Sequence, residues 1–104
     1  MFNPTDIFAE LEKAAEEMAE AVAQSDYLDD YGKHLIAVWK QESNHKSDAA
    51  AETSARAKPE WAEFLEGRKS AHKKALRLKA RYDNLRSLSE LRRTAEASQR
   101  YLTR

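Results

Sequence analysis

Apolar and small residues recur along the first part of the chain at a spacing that alternates between four and three. The series is Ile7, Leu11, Ala14, Met18, Ala21, Ser25, Leu28, Gly32, Leu35 and Trp39. Residues at this spacing share one stripe of an α-helix, and a repeat sustained over several heptads is typical of a helix that packs lengthwise against another. Asn3, Pro4 and Asp6 suit a helix start, as cap, first helical residue and first-turn acid. The sequence predicts one long helix over about residues 4–43.

A second stripe follows Pro59, which suits the first position of a helix. Its members are Trp61, Phe64, Leu65, Ala71, Ala75, Leu78, Tyr82, Leu85, Leu88 and Ala95. Glutamates come early in this segment and arginines, up to Arg104, come late, which matches the helix dipole. The sequence predicts a second helix over about residues 59–102. Residues 44–58 are polar and rich in alanine, which favours a mobile connector in which Ser47 or Asp48 could cap one or two short turns.

Two long helices and a connector predict an all-α fold, a long antiparallel helical hairpin resembling a coiled coil. Residues 1–104 would form a single domain, with Trp39 against Trp61 at the connector end. One hairpin buries only one stripe per helix, and small cores are marginally stable. Several apolar side chains fall outside the stripes and need cover, namely Phe8, Tyr31, Leu76 and Leu91. We therefore expect a homo-oligomeric bundle or ring.

Composition argues against catalysis. The 104 residues include no cysteine and only two glycines, which are isolated, so thiolate chemistry and a phosphate-binding loop are not expected. Glu42 and His45 have the spacing of a metal-ligand pair, but one such pair at a helix end is more often a surface coincidence. The sequence predicts no catalytic residue, no metal site and no cofactor. It also lacks an apolar run near the roughly 20 residues that span a bilayer, and its N-terminus lacks the layout of a signal peptide, so we expect a cytoplasmic protein.

The charges are sorted along the chain. Residues 1–52 hold 12 acids and 4 bases, and residues 53–104 hold 6 acids and 14 bases, although the total is neutral. Residues 67–86 alone carry eight Lys or Arg and one acid, Asp83. Such a run could pair with the acids of the first helix, which sets the register of packed helices. It could also form a solvated basic face or contact phosphates.

Helical geometry separates these interpretations. Each residue turns a helix by about 100°, and Ala75 is taken as the centre of the stripe. Lys73 and Arg77 then point about 160° away from the stripe, and Lys69 and Arg81 point about 120° away. This row is expected to face solvent or a ligand. A second series repeats every seven residues beside the stripe and is better placed to meet acids of the first helix; its members are His72, Lys79, Arg86, Arg93 and Arg100.

Two segments of the second helix carry a family resemblance. The segment KALRLKARYDNL (residues 74–85) and the ending LRRTAEAS (residues 91–98) resemble small helical phage and prophage proteins, and in particular UvsY-type recombination mediators. The resemblance implies an all-helical oligomer that binds single-stranded DNA and helps a recombinase replace single-strand-binding protein in the bacterial host cell. It implies a DNA-contacting set of Lys69, Lys73, Lys74, Arg77, Lys79 and Arg81. The acidic first helix departs from that pattern.

The sequence thus predicts a non-enzymatic accessory of phage DNA recombination that binds single-stranded DNA through a basic helix face. The alternative is a helical module for protein–protein interaction or assembly, an adaptor without nucleic-acid binding. The two differ in whether nucleic acid binds at all and in whether that binding weakens with salt.

Overall fold

Three helices account for nearly all of the chain in a computed structural model, which describes the backbone of residues 4–102 and the side chains of residues 6–102. They are α1 (Pro4–Glu42), α2 (Asp48–Arg56) and α3 (Pro59–Leu102), and this described part contains no strand. The prediction of an all-α protein is confirmed. The expected cap Asn3 and the late Arg104 lie outside the described residues.

Prolines open both long helices. Proline suits the first turn because its missing N–H has no intrahelical partner there and its φ angle is already helical. Pro4 begins the 39 residues of α1, with Asp6 in the first turn and Lys40 in the last. Pro59 begins the 44 residues of α3, where Glu60 and Arg100 occupy the corresponding turns. The sequence-based limits of 4–43 and 59–102 thus compare with observed limits of 4–42 and 59–102.

The short helix α2 forms where the composition favoured a mobile connector. Ser47 is its N-cap, and the Ala50 N–H donates to Ser47 Oγ at 3.0 Å. Ala51 and Ala55 are buried. Small side chains let a polar, alanine-rich helix lie close to its neighbours, so the lack of large apolar residues does not prevent it from docking.

The chain divides into two compact units, which we call the α2 unit and the terminal unit. The α2 unit is Ala21–Ala75, and the terminal unit combines α1 up to Glu20 with α3 from Leu76 onward. In the α2 unit, Ile36, Ala55 and Trp61 form a hydrophobic cluster against which Trp39, Phe64 and Leu65 pack. The rings of Trp39 and Trp61 meet edge to face at 6.3 Å, as predicted. One residue from each of the three helices therefore builds this core.

The contacts within the α2 unit fix the direction of its helices. Trp39, near the end of α1, meets Trp61 at the start of α3, whereas Ser25 meets His72 further along α3. The two segments therefore run antiparallel in this unit. A Cβ on Gly32 would lie 2.7 Å from Phe64 Cε1, so glycine is what allows the Phe64 ring to approach α1 so closely.

The terminal unit has a small core. Its buried apolar side chains, among the residues whose side chains are described, are Ile7 and Ala14. Phe8, Leu88 and Leu91 are exposed in the same unit, Leu91 to 68%. None of the described helices combines the length and the apolar character needed to cross a membrane.

Candidate nucleic-acid interface

All six residues of the predicted DNA-contacting set lie on α3 and are exposed. Lys69, Lys73 and Lys74 belong to the α2 unit. Arg77, Lys79 and Arg81 belong to the terminal unit. Lys73 and Arg77 point away from the core-facing residues Trp61 and Ala75, whereas Lys79, four residues after Ala75, is exposed at the edge of the core-facing stripe.

Five of the six have no acidic partner within the described part of the chain. Lys69, Lys73, Lys74, Arg77 and Lys79 make no ion pair with any carboxylate of residues 6–102. An exposed cation that makes no ion pair can contact a phosphate without an existing pair having to be broken first. These five residues are therefore the cations best placed to meet a polyanion.

The prediction that Arg81 points away from the first helix is wrong. Arg81 Nη2 lies 3.4 Å from Glu10 Oε2, and Nη1 lies 3.8 Å from Glu17 Oε2, both on α1 in the terminal unit. At about 120° from the stripe Arg81 lies on a flank of α3, and its long side chain reaches back from there to the carboxylates of α1. Arg81 thus forms exposed ion pairs within the terminal unit, and such pairs contribute little to stability.

The seven-residue series divides between different partners. His72 Nε2 lies 3.0 Å from Asp29 Oδ1, so His72 does meet an acid of α1. Arg86 instead pairs with Glu90 one turn further along α3, at 3.5 Å. Spacing alone placed both beside the stripe, but an i,i+4 carboxylate on the same helix is a closer partner for Arg86 than any on α1.

A polar network crosses the α2 unit at Ser25, His72 and Asp29. Ser25 Oγ and His72 Nδ1 are 2.7 Å apart, and His72 Nε2 is 3.0 Å from Asp29. The ionised carboxylate only accepts, so the Nε2–H donates to it. In a neutral imidazole Nδ1 is then the acceptor, and the Ser25 hydroxyl donates to it. Arg68 adds a longer contact to Asp29 at 3.9 Å.

This network shares its residue types with a hydrolytic triad but not its accessibility. Ser25 is only 5% exposed, enclosed between α1 and α3. A nucleophile must reach a carbonyl carbon, with donors ready for the oxyanion. The hydroxyl of Ser25 is instead used to hold α1 against α3. The sequence placed Ser25 only in the stripe of the first helix, because its hydrogen bond depends on the register between the helices.

Two tyrosines form an exposed stack on α1. The rings of Tyr27 and Tyr31 are 5.9 Å apart and inclined by 17°. Tyr27 is 59% exposed and Tyr31 is 40% exposed. On its other side Tyr31 meets the Phe64 ring of α3 at 6.0 Å. The sequence marked Tyr31 only as a residue that needs cover; the i,i+4 spacing of two aromatic residues was the available signal for this stack.

An open groove of about 760 Å³ lies in the α2 unit beside the core. Its wall includes the apolar Ile36, Trp61 and Leu65, and its rim carries charges of both signs, including Arg68 and Glu52. The mixed rim gives no electrostatic preference for one class of ligand. Among the described residues, no three His, Asp or Glu side chains converge as a metal ion would need.

Comparison with protein-family models, with curated proteins and with solved structures finds no match to this chain.

Proposed function

We propose that this protein is a non-enzymatic accessory of phage DNA recombination that binds single-stranded DNA through exposed cations of α3. The observation that carries the proposal is that Lys69, Lys73, Lys74, Arg77 and Lys79 are exposed and unpaired with any described carboxylate. The resemblance of residues 68–98 to UvsY-type mediators supports the same function. In that role the protein would act in the host cytoplasm beside a recombinase or a single-strand-binding protein.

The chemistry is phosphate neutralisation. Each lysine or arginine that contacts a phosphate releases condensed counterions, and the entropy of that release drives binding. Flexible lysine side chains on a regular helix can follow a mobile strand without reading its sequence. The proposal therefore includes affinity for single strands without strong base preference.

Salt dependence tests the proposal. We expect a fluorescein-labelled thymidine oligomer of about 20 nucleotides to bind at about 50 mM salt and to bind far more weakly at about 200 mM. Fluorescence anisotropy measures both affinities. A salt-independent affinity, or none at low salt, would rule out the proposed function and leave the adaptor alternative.

The adaptor alternative has its own supporting observation. Phe8, Leu88 and Leu91 are exposed in the terminal unit, and apolar side chains that remain exposed together often mark a protein contact. An adaptor would use them on another protein, and its affinity for that partner would survive at high salt because apolar contacts are not screened.

We also propose that the chain assembles as a helical hairpin into a homo-oligomer, with a second copy covering these apolar residues. The terminal unit supports this: within the described side chains it buries only Ile7 and Ala14, while larger apolar residues such as Leu91 stay exposed. Burial of each large apolar side chain would contribute about 1.5–3 kcal/mol. Light scattering should then give a mass well above the 11.9 kDa of one chain, and Leu88→Asp with Leu91→Asp should reduce it. A monomeric wild type at high concentration would contradict the assembly.

A further inference from the structure

We propose that the stacked rings of Tyr27 and Tyr31 bind unpaired nucleobases of the strand whose phosphates contact α3. This inference rests on the proposed function and adds a means of selecting single strands over duplex. Phosphate contacts alone do not provide that selection, since both forms carry them. Every base has a π-face that can stack on an aromatic side chain, and only unpaired bases have that face free.

The geometry of the two rings suits a stacking platform. Their planes are inclined by only 17°, so they present nearly parallel faces, and both rings are substantially exposed. Phe64 holds Tyr31 from the side of α3 at 6.0 Å, which limits the freedom of that ring before a base arrives. Partial preorganisation lowers the entropy lost on binding.

The row of α1 that holds both tyrosines carries no acidic side chain between Gln24 and Gln41. Positions at alternating spacings of three and four share one flank of a helix. On the flank that holds both tyrosines these positions are Gln24, Tyr27, Tyr31, His34, Val38 and Gln41. A phosphodiester chain along this row meets no carboxylate of the row itself, and the exposed Asp30, one turn from Tyr27, lies beside it.

A cation of the predicted set lies on the matching flank of α3. Ser25 contacts His72, so Tyr27 is close to level with this turn of α3. Two residues turn a helix by about 200°, so Lys74 lies away from His72 and its partner Asp29. Tyr31 is likewise two residues from Asp29 on α1, so it too is turned away from the contact between Asp29 and His72. Lys74 can therefore hold a phosphate of the strand whose bases stack on the tyrosines.

An oligonucleotide without bases separates stacking from phosphate contact. The probes are a labelled thymidine oligomer, an abasic oligomer with the same number of phosphates, and a duplex of equal length, each of about 20 nucleotides per strand. We expect the wild type to bind the thymidine oligomer at least about tenfold more tightly than the abasic one, given the usual strength of stacking on an aromatic side chain. Equal affinity of the wild type for these two oligomers would overturn the inference.

Matched variants test whether the tyrosine rings cause the difference in affinity between the thymidine oligomer and the abasic oligomer. Tyr27→Leu with Tyr31→Leu keeps apolar bulk and removes the π-faces, so it should bind the thymidine oligomer as weakly as the abasic one and leave abasic binding unchanged. Tyr27→Phe with Tyr31→Phe keeps the rings and should retain the preference. The single Tyr27→Leu variant leaves the Tyr31–Phe64 contact intact and should lose part of the preference even if the double variant is poorly folded.

The outcomes distinguish this inference from the proposed function. A leucine variant that is folded by circular dichroism and keeps the full preference contradicts base stacking on these rings while leaving phosphate binding standing. Failure of the wild type to bind any of the three probes contradicts the proposed function itself, and the inference with it.

Discussion

Replacing Lys69, Lys73 and Lys74 by glutamate is expected to weaken binding of a thymidine oligomer by about 100-fold. All three are exposed residues of the α2 unit without a described acidic partner, so the variant removes three cations available to phosphates. Three lost charge-assisted contacts at about 1 kcal/mol each correspond to this factor. Glutamate is also a good helix former, so the helix content should not fall.

The salt dependence of the same variant gives a second measure of the lost contacts. For single strands, each phosphate contact contributes about 0.7 to the slope of log affinity against log salt concentration. Loss of three contacts should therefore reduce the magnitude of that slope by about 2. Anisotropy titrations over a series of salt concentrations measure it.

A matched control separates a local site from a general charge effect. Lys13, Lys33 and Lys46 are also exposed but lie outside α3, and their replacement by glutamate changes the net charge by the same amount. We expect this control to bind several-fold more weakly at most. If both triple variants lose affinity equally, the attraction is non-specific, and if neither loses it, the interface lies elsewhere.

Trp61→Ala is expected to produce the largest loss of stability of any single substitution in the α2 unit. Trp61 is 7% exposed and lies at the centre of the cluster that joins the three helices. Truncation of a buried tryptophan typically costs about 3–5 kcal/mol, through lost burial and the cavity left behind. That is a large part of the total of about 5–15 kcal/mol available to a small protein. Thermal unfolding followed by circular dichroism measures the loss.

The loss of structure in Trp61→Ala is also expected to be local to α2. Ala55 and Trp61 belong to the same cluster, so α2 should lose its docking and become sensitive to trypsin at Arg56. Trp61→Phe keeps an aromatic ring and should cost less. Gln41→Ala, at an exposed position of α1, should change the free energy of unfolding by less than about 0.5 kcal/mol. A melting temperature of Trp61→Ala equal to that of the wild type would contradict the assignment of this core.

The helical content of the protein was accessible from its sequence because the relevant signals are local. The heptad spacing, Pro4 and Pro59 and the Ser47 cap each act within a few residues, and the edge contact between Trp39 and Trp61 follows from reversing the chain at the connector. The docking of α2 was not accessible, because alanines carry too weak a hydrophobic signal to distinguish a buried face from a solvated one.

The candidate site was predicted in part, for a geometric reason. Helical angles placed Lys73 and Arg77 toward solvent, where the structure also has them. Arg81 was misplaced because the reach of its long side chain was left out. The Tyr27–Tyr31 stack and the Ser25–His72 hydrogen bond depend on ring orientation and on the register between helices, which spacing along one chain does not determine.

Lysine footprinting on the wild-type protein tests the central claim most directly. The protein is acetylated with and without a saturating thymidine oligomer at low salt, and mass spectrometry reports the modification of each lysine. Phosphate contact through α3 predicts that DNA protects Lys69, Lys73, Lys74 and Lys79 while Lys13, Lys33 and Lys46 react as before. Equal protection of both groups, or protection confined to the second, would contradict the account.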